Sequence, residues 1–139
     1  MFRGGHLKKI KWVIIAVPFI ILLIFAATYI PHKVVDMDAS NVSKITIFDG
    51  NTGYEMDITD KSNITYIIKN LNEVTFQKGK SSFGYMGFSF NTTIFDHDGK
   101  VIQNFIINST DTIRYKGFFY RAKDQLIDYD YIEQLVRNQ

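Results

Sequence analysis

The sequence predicts an α+β protein. An N-terminal transmembrane helix leads into an antiparallel β-sheet domain, ordered ββα, then four or five strands and a C-terminal helix. Three observations predict it. Residues 12–30 form an apolar run without a charged side chain. Further on, Ile64, Ile67, Ile68 and Leu71 recur at i, i+3, i+4 and i+7, one face of a helix. Most of the rest alternates with period two between short turn signals. With 139 residues, 46% hydrophobic and 15% aromatic, the chain holds one domain's worth of core and is not a disordered polymer. It has no Cys, which excludes a disulfide framework, a thiolate metal site and a cysteine nucleophile. A net charge of +2 provides no electrostatic footprint for nucleic acid.

Residues 1–11 read as a basic cytoplasmic tail with Arg3, Lys8, Lys9 and Lys11. The run at 12–30 spans roughly 28 Å as a helix, close to the hydrocarbon thickness of a bilayer. It has no polar face, tolerates Pro18 as membrane helices do, and places Trp12 and Tyr29 near its two ends. Lysine and arginine concentrate before the run, whereas the chain after residue 11 holds 12 basic and 14 acidic side chains. The positive-inside rule therefore puts the N-terminus in the cytoplasm and the remainder outside. A cleaved signal peptide is the alternative, releasing a secreted domain. Against it, the run is long and the best small-residue site, Ala26-Ala27-Thr28, lies within it.

Residues 31–41 read as a spacer and 42–139 as the extracytoplasmic α+β domain. Val42–Phe48 is the first strand, and the turn at 49–53 leads to Tyr54, Met56 and Ile58, a half-buried partner. Thr59 or Asp60 caps the helix that carries Ile64 to Leu71. Val74 and Phe76 resume period two, and Lys78-Gly79-Lys80-Ser81-Ser82 breaks it. Met86, Phe88, Phe90 and Ile94 then share one face of a long strand. Asp98-Gly99 is a hairpin signal, and the return strand 101–107 is apolar on both faces, hence central. Residues 108–111 turn again, Lys116-Gly117 joins two more strands, and Asp128 or Asp130 caps a last helix with Ile132, Leu135 and Val136.

Chemistry-bearing constellations are few. His97 lies between Asp96 and Asp98, but neighbours in a strand point to opposite faces and this tetrad is a turn. The alternation Asp49, Asn51, Gly53, Glu55, Asp57 faintly resembles a calcium loop, yet Gly53, Tyr54 and Asp60 occupy the positions that need an oxygen ligand, a Gly and a Glu. No G-x-S-x-G elbow or phosphate-binding glycine loop occurs. No catalytic residue, metal ligand or cofactor is therefore assigned; a carboxylate-dependent hydrolase built from Asp96, Asp98, Asp111 and Glu55 is the alternative. The aromatic content points to binding. Phe83, Tyr85, Tyr115, Phe118 and Tyr120, with Arg114 and Arg121, form the candidate binding surface, since exposed aromatics beside Arg suit a protein, peptide or glycan partner.

Four N-x-[ST] sequons begin at Asn41, Asn63, Asn91 and Asn108. Ile outnumbers Ala by 20 to 5 and Lys outnumbers Arg by 12 to 4, the bias of an AT-rich genome, and a Cys-free outer domain fits a Gram-positive source. The segments 44–53, 58–71, 96–101, 117–120 and 128–135 resemble small Firmicutes proteins that pair an N-terminal anchor or lipoprotein signal with one extracytoplasmic α+β domain. The resemblance is one of layout and covers most of 42–136; the lipobox Cys of the lipoprotein members is missing. It implies location and fold and no site. The expectation is a single-pass cell-membrane protein whose outer domain binds a membrane or envelope protein or peptide, as a sensing, immunity-type or accessory module.

Overall fold

The computed structural model describes residues 4–138 and divides the chain at Ile30–Pro31 into two units. The first is helix α1, Gly4–Ala27. Its large apolar side chains, from Leu7 to Phe25, are exposed all round the helix. Such a surface suits an apolar solvent, and α1 is long and apolar enough to cross a membrane, the form shared by anchors and signal sequences. Thr28, Tyr29 and Ile30 tighten the helix end by donating to the carbonyls three residues back.

The second unit is an eight-stranded antiparallel sheet with two helices on one face. Its strands are β1 His32–Lys33, β2 Lys44–Asp49, β3 Glu55–Ile58, β4 Thr75–Ser81, β5 Phe90–Phe95, β6 Val101–Ile107, β7 Thr112–Tyr115 and β8 Phe118–Ala122. They lie in the order β1-β4-β8-β7-β6-β5-β2-β3. The helices are α2 Lys61–Glu73 and α3 Tyr129–Arg137. β5 to β8 form a meander of hairpins, with Gly99 at φ +77 closing the first turn and Lys116 (φ +47) with Gly117 (φ +82) closing the last.

Helix α2 begins where the Asp60 carboxylate accepts from the Asn63 amide at 3.0 Å. Its four predicted residues, Ile64, Ile67, Ile68 and Leu71, are all buried against the sheet. There they meet Ile45, Ile47, Phe76, Phe90, Ile94 and Phe105, each at most 2% exposed. Asp128 caps α3 by accepting from the Tyr131 amide. The two helices are joined by Asn70, which donates to the Leu126 carbonyl and accepts from the Asp128 amide, and by the Tyr66–Tyr131 ring pair at 4.2 Å. The terminal helix therefore completes the α2 layer.

Three expectations are corrected. Residues 31–41 are not a loose spacer. β1 pairs with β4, Val34 and Val35 are buried, and Asn72 exchanges two hydrogen bonds with the Met37 backbone. The period-two pattern does not break at Lys78: β4 runs through it to Ser81 with a register shift between Lys78 and Ser81. Lys78 fits the buried face because its stem packs there and its ammonium lies 3.9 Å from the Phe118 ring centre. Finally, β5 starts only at Phe90. Residues 82–89 are an extended strap, and Met86 and Phe88 do not share the face of Phe90 and Ile94.

The strap fixes the topology of the outer face. It carries the chain from β4 to β5, four strand spacings away, roughly 19 Å and within reach of eight extended residues. α2 covers the sheet on the inner face in the connection from β3 to β4.

Candidate binding face

The strap is built from local rules before it meets the sheet. The Tyr85 amide donates to the Ser82 carbonyl at 3.2 Å, and Gly84 supplies the positive φ (+82) that the third position of a type II turn requires. Phe83 occupies the corner of that turn and is 92% exposed; Met86, next along the strap, is 89% exposed. The Ser82 amide donates to the Gly117 carbonyl, tying the strap's start to the β7–β8 turn. Its far end is held where the Gly50 amide donates to the Ser89 carbonyl at 2.8 Å. A Cβ on Gly50 would stand 2.4 Å from the Phe88 carbonyl oxygen, so this crossing needs glycine.

Between its ends the strap rests on Arg114. This side chain projects from β7 to the face opposite the helices, is 8% exposed, and donates to the carbonyls of Tyr85 (2.9 Å) and Gly87. Among the described residues no carboxylate pairs with it, and its Nε makes no hydrogen bond. The guanidinium is thus a structural clamp that replaces the backbone partners an extended, unpaired segment lacks. Around it lies an aromatic–cation cluster. The Tyr85 ring meets Phe119 edge-on at 5.0 Å, Arg114 lies 5.8 Å from the Phe119 centre, and Lys80 donates to the Tyr85 hydroxyl at 2.7 Å. Phe88 packs on Phe48 at 6.0 Å.

Two hollows flank this cluster. One, of about 370 Å³, is bordered by Gly79, Lys80, Thr112, Phe119 and Arg121. The other, of about 190 Å³, lies between Ser82, Asn104, Ile106, Arg114 and Lys116. Arg121 is largely exposed and pairs with Asp111 at 3.4 Å. The Thr112 and Ser109 hydroxyls hold the Asp111 carboxyl below the ordinary range, and the Arg121 charge adds to this.

Of the seven residues expected on one binding surface, the structure brings together Tyr85, Arg114 and Arg121 on the outer face, with Phe83 at the strap's corner. Tyr115, Phe118 and Tyr120 belong elsewhere. They project to the helix side, where Tyr120 is 6% exposed and the other two pack against the core. β-Strand alternation requires this split, since Ile113 and Tyr120 pair in register and share the buried face. The expected surface left out Lys80 and Phe119, which lie within the aromatic and cationic stretches that suggested it. The signal was available: Phe119 alternates with Tyr120, and one of the two had to face outward.

The carboxylates considered for hydrolysis are dispersed. Asp96 and Asp98 lie in the β5–β6 turn, where Asp96 accepts from the amides of Asp98 and Lys100. Asp111 lies at the other end of β6, roughly 20 Å away, and Glu55 is on the edge strand β3. His97 Nε2 sits 2.8 Å from the Ser40 carbonyl, tying the hairpin to the segment before β2. Among the described residues no three His, Asp or Glu side chains gather as a metal-ion set.

The sheet also buries Asp49, at 0% exposed, on the helix side. Burial pushes its carboxyl up. The Arg137 hydrogen bond (2.9 Å), the Asn51 amide, the Thr52 hydroxyl and the Arg137 charge outweigh that and hold it at about 2. Arg137 also pairs with Glu133 one turn back and lies 5.4 Å from the Phe90 ring centre. This network docks the end of α3 onto β2. No family model, curated protein or solved structure matches this chain.

Proposed function

We propose that the chain is a single-pass membrane protein, N-terminus in the cytoplasm, whose 31–139 domain is an extracytoplasmic binding or accessory module for a membrane or envelope protein or peptide. The observation that carries this reading is the outer face. Lys80, Tyr85, Phe119 and Arg121 offer aromatic area and cations beside two hollows, on the face opposite α2 and α3. Aromatic and arginine side chains of this kind dominate interface energetics. Lys8, Lys9 and Lys11 ahead of the apolar run support the orientation, and the layout resembles that of the small Firmicutes anchored proteins.

Photo-cross-linking in the native membrane tests it. A photoreactive phenylalanine replaces exposed Arg121 in one full-length variant and exposed Tyr54, beyond the far end of β2, in another. A discrete adduct from position 121 and none from 54 is the expected result. No adduct from either, or the same ladder from both, removes the outer face as a binding site. The intact mass of the extracted chain separates an anchor from a signal sequence, because cleavage near Ala27 leaves a product without residues 1–28.

A further inference from the structure

Arg114, Arg121 and Arg137 are the arginines of the 31–139 domain, and the most buried of them is the one without a carboxylate. Arg121 is largely exposed and pairs with Asp111; Arg137 is partly exposed and pairs with Asp49 and Glu133. Arg114, at 8% exposed, has only the neutral carbonyls of Tyr85 and Gly87, and its Nε–H has no acceptor among the described residues. Carbonyl dipoles solvate a guanidinium but leave its charge whole, and a desolvated charge without a counter-charge is costly. The surroundings add cations and no anion. β4, β7, β8 and the strap contain no Asp or Glu, whereas they carry Lys80, Arg114 and Arg121, and Lys116 follows β7. Asp111, just ahead of β7, is taken by Arg121. Glu55 and Asp57 stand on β3, four strand spacings from β7, roughly 19 Å. The Asp96–Asp98 turn lies beyond the start of β6, roughly 10 Å or more from Asn104, and Asp96 there accepts from the amides of Asp98 and Lys100.

Arg114 and Lys116 both border the hollow of about 190 Å³ that lies between Ser82, Asn104 and Ile106. We infer that this hollow binds a carboxylate, with Arg114 as its counter-charge and Lys116 beside it. The inference rests on the reading of the outer face as a surface for a protein or peptide, whose anionic groups are carboxylates. It gives that partner an acidic side chain or a C-terminus at this point. The fold has already desolvated the guanidinium, so a carboxylate arriving next to it gains the Coulomb attraction without that part of the cost. The Lys116 ammonium, now 5.1 Å from the Tyr115 ring centre, sits on a flexible stem that can exchange this exposed contact for the anion. A second copy of the chain does not fit, because the same face twice would set cations against cations.

Full-length protein in maltoside micelles, titrated with N-acetylglutamate α-amide, tests the inference. The readout is the 1H–15N signal of the Arg114 Nε–H, assigned by its absence from Arg114→Lys. The expected result is a saturable shift of that signal, none from N-acetylglutamine α-amide, and none at Arg137, whose Nε–H already faces Asp49. Lys116→Asn suits the positive φ of the turn, keeps the fold, and should weaken the apparent affinity about threefold or more. No saturable shift, or an equal one from the neutral amide, overturns the inference. Photo-cross-linking from position 121, repeated with Lys116→Asn, keeps the two possible failures apart. A discrete adduct without any Arg114 shift strikes the carboxylate site and leaves the binding face standing. A shift without an adduct supports the hollow as a site for a free small carboxylate and strikes the protein or peptide partner. An adduct whose yield falls with Lys116→Asn puts the carboxylate on the partner.

Discussion

The chain crosses the same sheet twice, once on each face, and the two crossings are built on opposite principles. α2 covers the inner face between β3 and β4 as a helix, satisfying its backbone internally and presenting four apolar side chains at helical spacing. The strap covers the outer face as extended chain, cannot satisfy its own backbone, and borrows donors and acceptors from Arg114, Gly50 and Gly117. The first crossing creates the core. The second leaves aromatic and cationic groups on the surface, and the proposed binding face rests on this asymmetry.

The two crossings differ most in what they contribute to stability. Leu71→Ala on α2 empties a fully buried site and is expected to cost about 2–5 kcal/mol, whereas Tyr85→Ala on the strap costs under about 1 kcal/mol. Urea unfolding of the full chain in micelles, followed by circular dichroism, checks both. Equal losses would mean that the strap is part of the core.

Next in size is the Asp49–Arg137 pair, which locks α3 into the inner layer. The folded Asp49 carboxyl titrates at about 2, below the unfolded value near 3.9, so its contribution is present above about pH 4 and is lost as pH falls toward 2. Asp49→Asn should lower stability at pH 6 by on the order of 2 kcal/mol. The gap between the two proteins should then close between pH 4 and 2. Thermal unfolding of both across that range is the measurement, and a gap independent of pH would show that the charge plays no part.

How much of this was legible follows from the same contrast. α2 was readable because burial imposes a period of 3.6, and Ile64, Ile67, Ile68 and Leu71 obey it. The Asp98-Gly99 hairpin was readable because positive φ selects Gly. The strap was not: Met86, Phe88 and Phe90 alternate like a strand, and nothing periodic announces that an arginine on a distant strand will hold the intervening carbonyls. β1 is two residues long and carries no pattern of its own. Asp49 resembled one more polar turn residue, because its partner is 88 residues away. The candidate site was half legible for the same reason. Alternation divides Phe118, Phe119 and Tyr120 between faces, but which face is covered is decided by the helices.

A smaller effect sharpens the strap side. Arg114→Met preserves apolar volume, removes the donors to Tyr85 and Gly87, and is expected to cost roughly 1–2 kcal/mol. Its distinguishing readout is local. Chymotrypsin should cut the full-length variant at Phe83 or Tyr85 at least tenfold faster than the parent, while α2 stays protected. Unchanged cleavage would mean that the strap is held by its ends alone.

The smallest expected change is a gain, and it tests how the strap is anchored. Lys116 is the one described non-glycine residue with positive φ, at +47, and with Gly117 it forms a two-residue turn whose twist matches the flanking strands. An L side chain pays for that conformation, and Asn tolerates it better than Lys. Lys116 also lies 5.1 Å from the Tyr115 ring centre, an exposed contact of at most about 1 kcal/mol that Lys116→Asn forfeits. The net expectation is a stabilisation of a few tenths of a kcal/mol. Because the Gly117 carbonyl accepts from the Ser82 amide, a stiffer turn should also slow chymotrypsin at Phe83. Slower cleavage without any gain in global stability would show that the turn steadies the strap independently of the core; faster cleavage would mean that the lysine itself holds the strap's start.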